Sequence, residues 1–171
     1  LQLVRSSPQG IAWELPGKKK MIESLDSLRQ NVGQEIGVSE WFVVSQERIQ
    51  QFADATLDHQ WIHVDRERAR RESPFQDTIA HGFLTLSLVP YFVPQVLAMR
   101  NSVRMGVNYG LNRVRFAAPV IADSKIRARF VLQSLKDVSP NCVEAIFVVT
   151  IEAENSAKPR CVAEWVVRYY T

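Results

Sequence analysis

Cysteine and histidine are scarce in this chain: its 171 residues hold two of the first and three of the second. Cys142 and Cys161 stand outside any C-x-x-C pair or Cys/His zinc spacing, so neither a disulfide nor a metal is expected. Also missing is an N-terminal basic stretch followed by an apolar segment and a small-residue cleavage site, which makes the cytoplasm the expected compartment. No apolar run is clean enough for a membrane span. The longest, 82–99, is interrupted by Pro90, Pro94, Gln95 and the hydroxyls of Thr85 and Ser87. A strong excess of one charge is lacking too. Net charge is +3, and the basic residues are scattered apart from "GKKK" and "RERARR", the latter read as the solvated face of a short helix. Nucleic acid is therefore not an expected partner.

With 46% hydrophobic and 23% charged residues, the chain has ordinary globular composition and enough length for one domain with a real core. Residues 1–38 mix Pro8, Pro16, the lysine run and a short amphipathic piece, "MIESLDSLRQ", and read as a leader arm ahead of a single domain, 39–171. "EWFVVS" is a strand. Ser45 caps a helix with Ile49, Phe52 and Ala53 on one face. "VDRERARRES" makes two turns before Pro74, and "TIAHGFLTLSLVPYFV" is apolar on every side, the pattern of a helix wrapped in core. From Ser102 the period changes to two: Val103, Met105, Val107 and Tyr109, then "KIRARFVL", then 143–151 and 161–169, with turn residues between. One apolar helix followed by consecutive strands makes the class α+β, an antiparallel sheet curled around a buried helix.

All three imidazoles fall between positions 59 and 81. "DHQWIH" places Asp58 and His63 in a segment too irregular for one helix, so a loop can aim both at one water. A carboxylate and an imidazole sharing a water move protons near neutral pH. The plainer alternative has Asp58 capping the helix at 65–71 and His63 packed in the core. His81-Gly82 opens the apolar helix, where an unpaired backbone N–H is suited to a developing oxyanion. There the alternative is a tight junction under the sheet.

"FADATLDHQWIHVD" followed by "IAHGFLTLSL" resembles the MaoC-like (R)-specific enoyl-CoA hydratases of the hot-dog fold, whose pattern is G-D-x-N-P-x-H, then H-G and a buried helix. Asp58, His63, His81, Gly82 and Ser87 match it. "YGLNRVRFAAPV" is similar to the NodN-related branch of the family, as is "DHQWIH" itself, and the resemblance covers roughly residues 33 to 170. Leu57 departs from the family glycine, Gln60 from its asparagine and Trp61 from its proline. Pro90 stands where some related hydratases carry a serine.

The resemblance implies a helix from Gly82 to about Leu97 wrapped by an antiparallel sheet, a homodimer, and a trans-2-enoyl thioester substrate on coenzyme A or acyl carrier protein, with no further cofactor. It implies syn addition of water giving an (R)-3-hydroxyacyl thioester, with Asp58 and His63 as the acid–base pair and the Gly82 N–H on the carbonyl oxygen; Asp58 is preferred as base and His63 as acid, an assignment that the sequence leaves open. His59 is a turn residue or a partner of the dyad, and Gln60 fixes the loop. Ser87 supports the helix or bonds back to it. Asn112, Arg113 and Arg115 meet the anionic end of the carrier or face solvent. A hot-dog thioesterase and a non-catalytic acyl-thioester binding module are the rival readings.

Overall fold

A computed structural model of the chain describes residues 22–99 and 102–171. Most of the expected arm, 1–21 with Pro8, Pro16 and the lysine run, lies outside the described residues. Residues 22–38, expected to belong to that arm, pack into the core instead. The helix α1 (Leu25–Arg29), capped by Ser24, buries Leu25 and Leu28; strand β1 (Glu35–Val38) buries Ile36; and Ile22 bridges to Leu97. The amphipathic spacing of "MIESLDSLRQ" gives that small helix a core-facing side, which is why it docks.

Strand β2 (Phe42–Val44) leads into α2 (Gln46–Thr56), whose N-cap Ser45 accepts from the Arg48 N–H. Two short helices follow, α3 (Trp61–Val64) and α4 (Arg66–Glu72). Asp65, not Asp58, caps α4, accepting from the Arg68 N–H. Then come α5 (Gly82–Ser87), α6 (Val89–Phe92) and a 3-10 turn at Val93–Gln95. The expected unbroken helix from Gly82 to Leu97 is thus three successive pieces. Proline has no N–H, so Pro90 and Pro94 each delete one rung of the helical ladder, and the chain adjusts at Leu88 and Val93.

The long strands are β3 (Met105–Arg115), β4 (Ser124–Ser139), β5 (Cys142–Ala153) and β6 (Cys161–Tyr170). All pairings are antiparallel, in the order β1-β4-β5-β6-β3, with β2 also on β4. Alternate side chains of β4, β5 and β6 face inward, among them Phe130, Phe147 and Trp165, and close over Leu84, Leu88, Val89 and Phe92. This period-two burial is the pattern of a sheet with one face on a core.

Two expectations about burial need correction. The central helix is not covered all round, because Phe83, Ser87, Pro90, Tyr91 and Pro94 are exposed along one stripe. Nor is β3 half-buried: it is the sheet edge, pairing only with β6 among the described residues, and Met105, Val107, Tyr109 and Leu111 are exposed. No helix among the described residues is long and apolar enough to cross a membrane.

Candidate active site

The end of α2 sets the site. Leu57 closes the helix in the left-handed conformation, φ 61° and ψ 19°, a role that usually falls to glycine because it has no Cβ to crowd the carbonyl. That reversal throws the chain into the loop carrying Asp58. The single turn of α3 then presents His63, whose own N–H bonds back to the Gln60 carbonyl at 2.9 Å. Gln60 thus fixes the loop through its backbone: its carbonyl receives His63, and its N–H lies 3.4 Å from Asp58 Oδ1.

Asp58, His63 and His81 each offer a donor atom within 4.8 Å of the others. Both rings are buried while the Asp58 carboxylate is open to solvent. His63 Nδ1 is 2.6 Å from the Ile79 carbonyl and must donate to it, which leaves Nε2 with a free lone pair. His81 Nε2 likewise donates to the Asp58 carbonyl at 2.9 Å, and His81 Nδ1 has no hydrogen-bond partner among the described residues. His81 therefore holds the loop of Asp58 rather than only opening α5. Burial, opposed by the Ile79 hydrogen bond and reinforced by His81, keeps the His63 pKa below the ordinary histidine value. The two rings are stacked, 25° between planes. A water bridging carboxylate and imidazole fits within this spacing.

A close approach favours glycine at position 82. A Cβ there would sit 2.9 Å from the Phe116 ring. As the first residue of α5 its N–H has no carbonyl one turn back to bond. His63 and Gly82 line one cavity of about 320 Å³, together with Thr85, Phe116, Pro119 and Arg160. A larger cavity of about 610 Å³ lies at the far end of the central helix, beside Tyr169 and Met105, away from the histidines. Chemistry and cavity size disagree, and the placement of the titratable groups decides for the smaller one.

The remaining expected residues stand elsewhere. His59 turns away to Asp54 at 2.8 Å on the surface. Ser87 bonds back to the Phe83 carbonyl of its own helix at 2.7 Å. Asn112, Arg113 and Arg115 are exposed on β3 and do not line the cavity; Arg115 folds back onto the Val114 carbonyl. The cation that does line it, Arg160, was not singled out from the sequence. Its Nε is buried without a hydrogen-bond partner among the described residues. Nothing in its local pattern marks it, since the turn before β6 brings it to the cavity only through the fold. Phe116, which lies in the quoted "YGLNRVRFAAPV" phrase, was missed as the wall over Gly82.

A helix laid against a curled antiparallel sheet is the hot-dog architecture, and the carboxylate and imidazole beside its N-terminus are groups that a hydro-lyase uses. Residues 27–153 match the family model described as "MaoC like domain", and the chain belongs to the MaoC-like dehydratase family. It is 47% identical over 150 residues to the 3-hydroxyacyl-thioester dehydratase Z of Mycobacterium tuberculosis, covering 88% of this chain and 98% of that protein. It is also 47% identical over 143 residues to nodulation protein N of Rhizobium leguminosarum, covering 84% and 89% respectively. Among solved structures, the (R)-hydratase from A. caviae involved in PHA biosynthesis superposes with a TM-score of 0.64 at 22% identity, over 80% of this chain and 94% of that one. A monoamine oxidase regulatory protein from Archaeoglobus gives a TM-score of 0.70 at 22% identity, over 90% and 98%. These structural likenesses establish the fold.

Proposed function

We propose that this protein catalyses the reversible syn addition of water to a trans-2-enoyl thioester, giving an (R)-3-hydroxyacyl thioester, with coenzyme A or an acyl carrier protein as carrier. The observation that carries this reading is the His63 Nδ1–H bond to the Ile79 carbonyl, which leaves a neutral Nε2 acceptor on the same cavity as the Gly82 N–H. The dehydratase named among the relatives and the hydratase among the structural neighbours support the reaction class.

Two features favour exchanging the roles expected from the sequence. His63 is held neutral by burial and has an open lone pair, the state of a base. Asp58 is exposed and suited to orienting the water through its carboxylate. In the hydration direction the water oxygen bonds C3 as one water proton passes to His63 Nε2. The C2–C3 π electrons move onto the thioester oxygen, where the Gly82 N–H stabilises them. His63 then returns the proton to C2 on the face from which the oxygen came, and syn addition follows from one water and one imidazole.

The exposed apolar stripe of the central helix and the uncovered edge β3 support pairing with a second copy through that side. Arg160, in place of Arg113 and Arg115, is the cation suited to the anionic arm of the carrier.

The test follows loss of the conjugated absorbance of crotonyl-CoA and a longer homologue, with chiral analysis of the product. Hydration to the (R) product that falls by roughly 10²–10⁴ in Asp58→Asn or His63→Ala is the expected result. A folded protein that binds the thioester without hydrating it at any chain length would exclude the reading and favour a binding module; free thiol release would favour a thioesterase.

A further inference from the structure

The side chain of Gln46, the first residue of α2, spans two segments of the site that are far apart in sequence. Its Nε2 donates to the His63 carbonyl at 2.8 Å, and its Oε1 accepts the hydroxyl of Thr78. Thr78 is fully buried, and its own carbonyl accepts the Ala122 N–H at 2.9 Å, so it is not free to drift. The next residue, Ile79, supplies the carbonyl that takes the His63 Nδ1–H, and its N–H bonds the Ile62 carbonyl at 3.0 Å. Gln46 therefore clamps the His63 segment to the Thr78-Ile79 segment next to the one bond that decides which imidazole nitrogen carries the proton. Neither Gln46 nor Thr78 lines the cavity.

A buried hydroxyl at 78 needs a reason, because valine has nearly the same shape and no polar group to satisfy. The tautomer of a histidine is set by the hydrogen bond at its other nitrogen. A slack acceptor would let His63 sample the form with its proton on Nε2, which cannot take one from water. We infer that Gln46 and Thr78 are positioning residues that hold the Ile79 carbonyl against His63 Nδ1 and so keep Nε2 as the open base. This rests on the hydratase reading for its catalytic meaning, but the tautomer itself is a property of the resting protein.

The experiment records imidazole ¹⁵N and ¹³C shifts of His63 against pH in the full chain, alongside steady-state hydration of crotonyl-CoA. Variants are Thr78→Val, Thr78→Ser, and Gln46→Glu, which keeps an acceptor for Thr78 and loses the donor to His63. The titratable neighbours facing the His63 ring are Asp58 and His81. Thr78→Val and Gln46→Glu are expected to show mixed tautomers; in Thr78→Val the acid limb should also move to lower pH, since the lost Ile79 bond had favoured the charged ring, whereas the carboxylate added by Gln46→Glu opposes that shift. In both, kcat should fall roughly 10- to 100-fold with KM within about 2-fold, the scale of lost orientation at a catalytic group. Thr78→Ser should restore the native pattern. Folded variants with an unchanged His63 tautomer and pH profile would overturn the inference, whatever their melting temperature. Should Thr78→Val not fold, Gln46→Glu decides by the His63 tautomer and the split between kcat and KM. A native chain without hydratase activity but with a pure Nδ1–H tautomer that Gln46→Glu disturbs would sink the hydratase reading and leave the positioning role standing.

Discussion

The ring of His81 lies on the ring of His63, with centroids 3.7 Å apart. Two positive charges at that separation repel, and His81 is one of the groups that hold the His63 pKa down, behind burial.

A pH dependence of stability follows. His63 titrates below the ordinary value of 6.5 when folded. Above 6.5 it is neutral in both states; as pH falls below 6.5 the unfolded chain takes a proton first, and stability drops until pH passes the folded pKa. Urea unfolding of the native chain at pH 7.5 and 5.5 should show this loss, and His63→Gln should remove part of it. An equal loss in His63→Gln would assign the effect to other groups.

Leu57 offers a gain in stability. It holds a left-handed φ while 82% exposed, so its side chain contributes little packing and its Cβ is crowded. Leu57→Gly should stabilise the fold by about 1 kcal/mol, the usual cost of left-handed backbone for a residue with a Cβ, reduced by the entropy of glycine in the unfolded chain. Denaturant midpoints measure it, and a lower midpoint would refute it.

Gly82→Ala should be costly for a different reason. The added methyl meets the Phe116 ring at 2.9 Å. Because Phe116 is 43% exposed, its ring can swing outward, and destabilisation at the low end of overpacking, about 1 kcal/mol, is expected. A double-mutant cycle with Phe116→Ala should recover most of that loss; additive effects would mean that the contact is not the cause.

Arg160→Met is expected to raise KM for a coenzyme A thioester several-fold with little change in kcat, because Arg160 lines the cavity and takes no part in the proposed proton transfers. Steady-state kinetics at two salt concentrations read it, and a matching fall in kcat alone would contradict a binding role.

Local physics made most of the fold legible in the sequence. Period-two burial exposed β4, β5 and β6, and the serine cap located the start of α2. The same period misled at β3, because alternation reports which face is apolar and not whether anything covers it. Pro90 and Pro94, which argue against a membrane span, also break the helix. At the site, Asp58, His63 and Gly82 were legible because their chemistry is concentrated in short phrases. Gln46, Thr78, Phe116 and Arg160 reach the site through tertiary contacts, and their sequence neighbours carry no trace of that.

The break after Ser87 separates two duties along the central helix. Gly82 and Thr85 sit in the six-residue piece that faces the histidines, whereas Val93, Pro94 and Leu97 border the larger far cavity from beyond both breaks. A helix in one rigid length would transmit any reshaping of its far end to Gly82. Jointed as it is, the far half is free to be recut for different neighbours while the half that lines the cavity with His63 keeps its place.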